Sequence, residues 1–529
     1  MARYVRETSG LVRQLRWWDV LVITVAAPTG SGVLFYAVQT SGQPGGSITL
    51  AFAIGMALFL PLVLASAALA SVTPRSGGPY VAVSRFLHPA IAYLASCLLI
   101  LGDGIVMGVL GFILMEIGGA MCSVVGQVYQ VASLTSLGST IGSNPAAPLG
   151  AVAWVLVFWG IMLRPPTVFR RILATLLFLP LVTTLLCILV FVMTPSSQAV
   201  VAFNEVWDPD SWQRVLDLAR ANGWDYEPFS WSSTFGMLLV VVWAFNGIEV
   251  ASYAGGEVQA PERSYFRGLL LGWLGVGLLY MVTAASVIYS FGGISDAYHF
   301  LQANHSKELK EIMPAITPSV PFYMMCIVRS PVVAFMAAVA FVLWFAKIIP
   351  AVYLTCSRLM FALAMDRLLP QRFADVHPVT AVPTWATHTT ALIGLVGAGF
   401  YYFKVGTVLG TLMFCTMFVA WPVGLALAVL PFRHPELIRV GWLRSPRILG
   451  LWPATWLGGI TFVSGLILLY LAGREISSTA WIGIAIVVGL LLLNYFVRSS
   501  RLKAETSGQG AADLLPPDSV PATGGHRSL

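Results

Sequence analysis

Three stretches of this chain, Ile172 to Asn204, Val405 to Phe432 and Ile476 to Val497, contain no Asp, Glu, Lys or Arg. Each is longer than the about 20 mostly apolar residues that cross a hydrocarbon layer as a helix. A chain built from such runs has too little polar surface to face water. Of its 529 residues, 57% are hydrophobic and 10% charged, whereas ordinary soluble domains carry about 25% charged residues. A soluble globular protein is excluded, and the solvent for most of the chain is lipid.

Twelve segments of spanning length follow from the pattern, at 17–39, 48–72, 88–118, 147–163, 172–194, 232–256, 268–292, 331–356, 383–402, 406–430, 449–471 and 477–497. They are numbered 1 to 12 below. With the N-terminus inside, 22 of the 30 Lys and Arg residues lie on the inner side, 7 on the outer side, and one, Lys347, within a segment. The positive-inside rule therefore predicts that both termini are cytoplasmic. The loop at 195–231, with six acids against Arg214 and Arg220, then lies outside, and a short surface helix is expected around Trp212 to Ala221. The expected organisation is a cytoplasmic N-terminus at 1–16, a core at 17–430, two further helices within 431–497, and a disordered cytoplasmic tail at 498–529, rich in Pro, Gly and Ser. No removable signal peptide is expected, since a polar, basic stretch without a small-residue cleavage site precedes segment 1.

The net charge of +7 does not predict a nucleic-acid partner, because the basic residues lie between apolar runs rather than on one soluble face. The six cysteines have no CxxC spacing and read as small buried hydrophobes. No P-loop, HExxH or haem-attachment motif is present, so neither an ATP-driven pump nor a metalloenzyme is expected. No cofactor, metal or catalytic residue is predicted.

Segment 1 is interrupted by Ala27-Pro28-Thr29-Gly30-Ser31-Gly32, and segment 6 by Asn246-Gly247 with Glu249 just beyond. Proline removes a backbone donor and glycine weakens helical order. Backbone groups freed at membrane depth persist only where protein, water or a ligand satisfies them. The two interruptions are five segments apart, an odd number, so two five-segment units would enter the membrane from opposite sides. Paired breaks in inverted halves point to a transporter with its substrate site near the midplane.

Four motifs carry a resemblance over about residues 15 to 430. They are Thr29 to Gly32, Pro74-Arg75-Ser76-Gly77-Gly78-Pro79-Tyr80, Trp243 to Glu249 with Gly256 to Pro261, and Ser357 to Pro370. In these the chain resembles the amino acid permease branch of the amino acid-polyamine-organocation superfamily. The resemblance implies an all-helical membrane protein with a LeuT-like five-plus-five inverted repeat, helices 1 and 6 broken, and segments 11 and 12 outside the core. It also implies that a substrate carboxylate meets the backbone at Thr29, Gly30, Ser31 and Gly32, and that the amino group meets carbonyls of Phe245, Asn246 and Gly247. Trp243 matches the aromatic residue that closes over substrate in the arginine/agmatine antiporters of the superfamily.

Asp103, Glu116, Glu249 and Lys347 fall within apolar segments, where ionisable groups read as functional by default. Glu249 occupies a position where many members of the family have a glutamate associated with proton coupling or gating. Some sodium-independent relatives place a lysine amine from segment 5 where sodium would otherwise sit. Segment 5 here has no lysine, and Lys347 in segment 8 could deliver a cation to the centre instead and exchange a proton near neutral pH. Asp103 either pairs with Lys347 or meets a cationic substrate group. Glu116 reads as reaching the membrane interface, and Met107 as a contact for the substrate side chain.

The combined expectation is a secondary active amino acid transporter of the cell membrane, multi-pass, working by alternating access and independent of sodium. Proton symport and exchange both remain open, as does the oligomeric state. A polyamine or cationic amino acid carrier is the alternative within the class. A non-transporting sensor or partner-dependent subunit is the alternative outside it. The expected partners are a small amino acid or amine, protons and membrane lipid.

Overall fold

The computed structural model describes residues 11–508 apart from 39–42, 44, 225–228, 315, 405–407, 440–445 and 475. The described residues are helical throughout, with turns and isolated bridges but no β-strand. Nine helical runs have the length and apolarity of membrane spans, or eleven if two bent pairs are each taken as one. These eleven correspond to all the expected segments except the ninth. Segment 9 is a helix, Thr384–Tyr402, but its first turns read TWATHTT, which makes it markedly more polar than the others.

Segment 3 runs on as one helix from Pro89 to Val128, ten residues past its expected end. An unanticipated helix, Ala132–Ile141, packs back on this extension through small residues. A Cβ at Gly119 would lie 2.6 Å from the Gly138 carbonyl oxygen, and one at Gly126 would lie 2.3 Å from Thr135 Oγ1. Such close approach of backbones is how helices associate when apolar burial offers no preference. The same helix forms a bent pair with segment 4, Ala146–Met162, at 70°. The expected surface helix is present as Ser211–Ala221. The final helix, Ser478–Gly508, continues eleven residues into the stretch expected as a disordered tail, and residues 509–529 lie outside those described.

Three of the four sequence motifs converge at the end of the bundle where segment 3 begins, and the residues just before segment 1 join them. The Gly77 N–H donates to the Tyr253 carbonyl at 3.0 Å. Both Gly77 and Gly78 have positive φ, 96° and 43°, and a Cβ on Gly78 would meet the Ser252 carbonyl oxygen at 2.6 Å. Only glycine fits there. Tyr80 donates its hydroxyl to Asp366 at 2.7 Å, and Arg85 reaches the other oxygen of that carboxylate at 2.8 Å. Arg358 binds Glu257 through two nitrogens at 2.6 and 3.1 Å, with both residues buried. The Glu257 carbonyl in turn accepts the N–H groups of Gln14 and Leu15, each at 2.9 Å. Pairings among the chain entry to segment 1, the loop after segment 2 and the regions after segments 6 and 8 thus seal this end. The opposite end, at the C-terminal half of the segment 3 helix, holds a cavity of about 480 Å³.

Candidate functional site: two interrupted helices joined by Tyr280

Segment 1 is helical over Trp17–Ala26 and again from Ser31, with a 58° bend between. Pro28 has no N–H, and Gly30 is extended at φ −178°, so the intervening residues leave the helical ladder. Side chains bond the carbonyls of Val25, Ala26, Pro28 and Thr29. The buried Lys347 Nζ donates to the Ala26 carbonyl at 2.7 Å and also to that of Thr29. Tyr280 Oη donates to the Pro28 carbonyl at 3.2 Å. The Thr29 hydroxyl turns back to the Val25 carbonyl. The N–H groups of Ser31, Gly32 and Val33, at the start of the second half-helix, have no backbone acceptor among the described bonds. First-turn amides of this kind favour an anion.

Segment 6 is α-helical over Leu238–Phe245, turns at Asn246 and Gly247, and continues as 3₁₀ turns at Val250–Tyr253 and Gly255–Glu257. Gly247 has φ 86°, the left-handed region that a side chain disfavours. The Phe245 and Gly247 carbonyls accept in-chain N–H groups from Ile248 and Val250, at 3.3 and 3.0 Å, so each keeps one lone pair rather than standing wholly free. The Asn246 amide donates to the Thr416 hydroxyl of segment 10 at 3.2 Å. Trp243 lies half-buried within the last turn before the interruption.

Tyr280 of segment 7 ties the two interruptions together. Its single hydroxyl proton is shared between the Pro28 carbonyl and the nearer Ala244 carbonyl at 2.7 Å. Its ring sits between Phe52 and Phe245, with centroids 5.1 and 5.3 Å away. A tyrosine in an apolar run reads from sequence as packing alone, and neither Tyr280 nor Thr416 carries a motif that would have singled it out. Gly32 lies against the Tyr280 ring, where a Cβ would approach to 2.6 Å. Gly32→Ala is therefore expected to push the ring off both carbonyls, cost about 1–3 kcal/mol of stability through overpacking, and weaken substrate binding by about tenfold or more. Equilibrium binding on purified, correctly inserted protein tests this, and wild-type affinity would remove the proposed role of the contact.

Of the two alternatives for Asp103, the pair with Lys347 is absent among the described residues: the Lys347 amine is held by segment 1 carbonyls and lies 4.8 Å from the Trp344 ring centroid. It sits at the joint between helices Pro331–Ala346 and Ile348–Met365, and that joint faces the break in segment 1. Asp103 is buried and interacts electrostatically with Glu249, with Tyr253 and Cys356 in the same neighbourhood. Within this cluster Glu249 Oε2, Ser252 Oγ and Tyr253 Oη have no hydrogen-bond partner. Met107 does not join the interruptions either. Its methyl group lies where a Cβ on Gly394 would be, at 2.4 Å, and that position also adjoins Val155, so it packs segment 3 on segments 9 and 4.

Two helices are thus broken at matching places, with carbonyls at the breaks capped by an amine and a phenol. A family model of amino acid permeases matches residues 15–493. The chain belongs to this family. It thereby falls within the amino acid-polyamine-organocation superfamily. It is 22% identical over 405 residues to the branched-chain amino acid permease BcaP of Bacillus subtilis (strain 168), covering 74% of this chain and 77% of that one. It is also 24% identical over 266 residues to the methylthioribose transporter of the same organism, covering 48% of this chain and 50% of the relative. The protein is a multi-pass membrane transporter of small molecules, not an enzyme.

Proposed function

We propose that this chain is a secondary active amino acid transporter of the plasma membrane that works by alternating access, without sodium, on a twelve-helix frame with a five-plus-five inverted repeat and cytoplasmic termini. The observation that carries the reading is the Lys347 amine nitrogen on the Ala26 and Thr29 carbonyls. A fixed cation bonded to the unwound turn of segment 1 does there what a bound sodium ion would do, and a lysine, unlike sodium, can exchange a proton. The free amides of Ser31 to Val33 supply donors for a substrate carboxylate, and the remaining lone pairs at Phe245 and Gly247 suit an ammonium. Asp103 and Glu249 are the candidate proton-handling carboxyls.

The similarity to a permease for branched-chain amino acids supports a substrate with an apolar side chain. One observation favours a second reading, a cationic amino acid or polyamine carrier: Asp103 is not neutralised by Lys347. Flux of a labelled amino acid and polyamine panel into proteoliposomes discriminates them, run with an inward proton gradient, without sodium, and with or without unlabelled substrate inside. Gradient-driven accumulation of neutral amino acids into empty vesicles supports symport, and uptake only against trapped substrate supports exchange. Preferential polyamine flux would replace the first reading by the second, and absence of saturable flux for the whole panel would sink both.

A further inference from the structure

The cavity at the C-terminal half of the segment 3 helix is lined by Ser31 at its inner end, the first residue of the second half of segment 1. Phe345 lines it too, and its ring edge lies 3.6 Å from where a Cβ on Gly30 would stand. The cavity therefore ends on the glycine motif and on Phe345, and in the orientation proposed above it is the route from outside. Its volume of about 480 Å³ is in the range of small-molecule sites. Its walls are chiefly apolar, with Phe35, Ile113, Ile117, Met121 and Ile316 among them.

Glu116 is the one Asp, Glu, Lys, Arg or His among the residues that line it. Its Oε2 accepts a hydrogen bond from the Tyr401 hydroxyl at 3.0 Å, which fixes the carboxylate on the wall and leaves Oε1 without a hydrogen-bond partner among the described residues. A lone carboxylate above an apolar chamber attracts ammonium ions and repels carboxylates. The apolar walls add affinity for a hydrocarbon substituent.

We propose that this cavity is a second, outer binding site, which takes an ammonium-bearing solute with an apolar substituent by placing the ammonium at Glu116 and the substituent among Ile113, Ile117 and Met121. Its biological role rests on the transport reading above, since a site here would load the inner one and disfavour acidic amino acids at entry. Binding at the site does not depend on that reading. Glu116, placed at the interface by sequence alone, becomes a selectivity residue.

The test is equilibrium binding to the purified full-length protein by calorimetry, with 3-methylbutylammonium as the probe. This ion carries an ammonium and a branched apolar tail but no carboxylate for the inner amides. Glu116→Gln is expected to weaken its binding about tenfold and to remove its dependence on ionic strength, while Glu116→Asp retains most of the affinity. Binding of 4-methylpentanoate, which has the tail and a carboxylate, is expected not to weaken in Glu116→Gln. Equal affinity of wild type and Glu116→Gln for the ammonium probe, or no binding by wild type, would overturn the proposal. Failure of the transport reading appears separately, as absence of flux in proteoliposomes.

Discussion

Lys347→Ala is expected to flatten the pH dependence of uptake and abolish gradient-driven accumulation, while substrate still binds. A buried ammonium without a counter-charge is penalised by several kcal/mol, and Lys347 is fully buried with no acid paired to it. Its compensation comes from the Ala26 and Thr29 carbonyls and the face of Trp344. Those carbonyls exist as acceptors only because Pro28 and the glycines interrupt segment 1. In the proposed cycle a shift of segment 1 against segment 8 would part the amine from these acceptors, which would link the movement to Lys347. Alanine at 347 removes that link and leaves two carbonyls unpaired, at about 1–3 kcal/mol each if water does not reach them. A lower melting temperature is therefore expected too. The check is uptake against external pH in proteoliposomes alongside direct substrate binding, and an unchanged pH profile would refute the coupling role.

How much of this was legible in the sequence depends on which physical constraint was acting. Lipid demands length and apolarity of every segment, so boundaries such as 48–72 against Ile48–Val72 could be read directly. Pro28, Gly30 and Gly247 announce their interruptions because backbone chemistry alone creates them. Partners of buried side chains are a different matter, because they depend on the rotation of each helix about its axis. A pair of Asp103 with Lys347 is one of two alternatives that the sequence leaves open, yet the amine bonds segment 1 carbonyls and Asp103 interacts electrostatically with Glu249. Met107 depends on rotation in the same way: Gly104, Gly108 and Gly111 admit segments 9 and 4 closely along this face of segment 3.

Tyr280 marks a second limit. Its hydroxyl bonds carbonyls from residues 252 and 36 positions away, and no local pattern encodes such a contact. The motif residues were legible as motifs but not as one assembly. Their convergence explains the pattern of small residues in PRSGGPY, where the positive φ of Gly77 and Gly78 and their approach to Ala362 and Ser252 leave no room for side chains.

The Arg358 and Glu257 pair in that assembly carries the second large expectation. Arg358→Met should lower stability by about 3–5 kcal/mol, because it strands the Glu257 carboxylate in a site where both side chains are buried. Glu257→Met alone should cost a similar amount by stranding the guanidinium. The double substitution to Met should recover much of the loss, since removing both charges also removes both desolvation penalties. Stability is not the whole expectation. Glu257 belongs to the stretch after segment 6 that holds Gln14 and Leu15 through backbone bonds, and Arg358 lies just past segment 8 in the helix Ile348–Met365. The pair therefore joins, across the sealed end of the bundle, parts that would separate in the proposed alternating access. The stable double variant should let that end open more readily, so a cysteine introduced at Val352, buried in segment 8, should react faster with a membrane-impermeant thiol reagent supplied from that side. The assay calls for a background in which the six native cysteines have been replaced. Thermal unfolding of the three variants measures the first effect and labelling rate the second. A double variant as unstable as either single one would show that the pair's geometry, not its charge, holds the assembly, and an unchanged labelling rate would show that the seal does not depend on it.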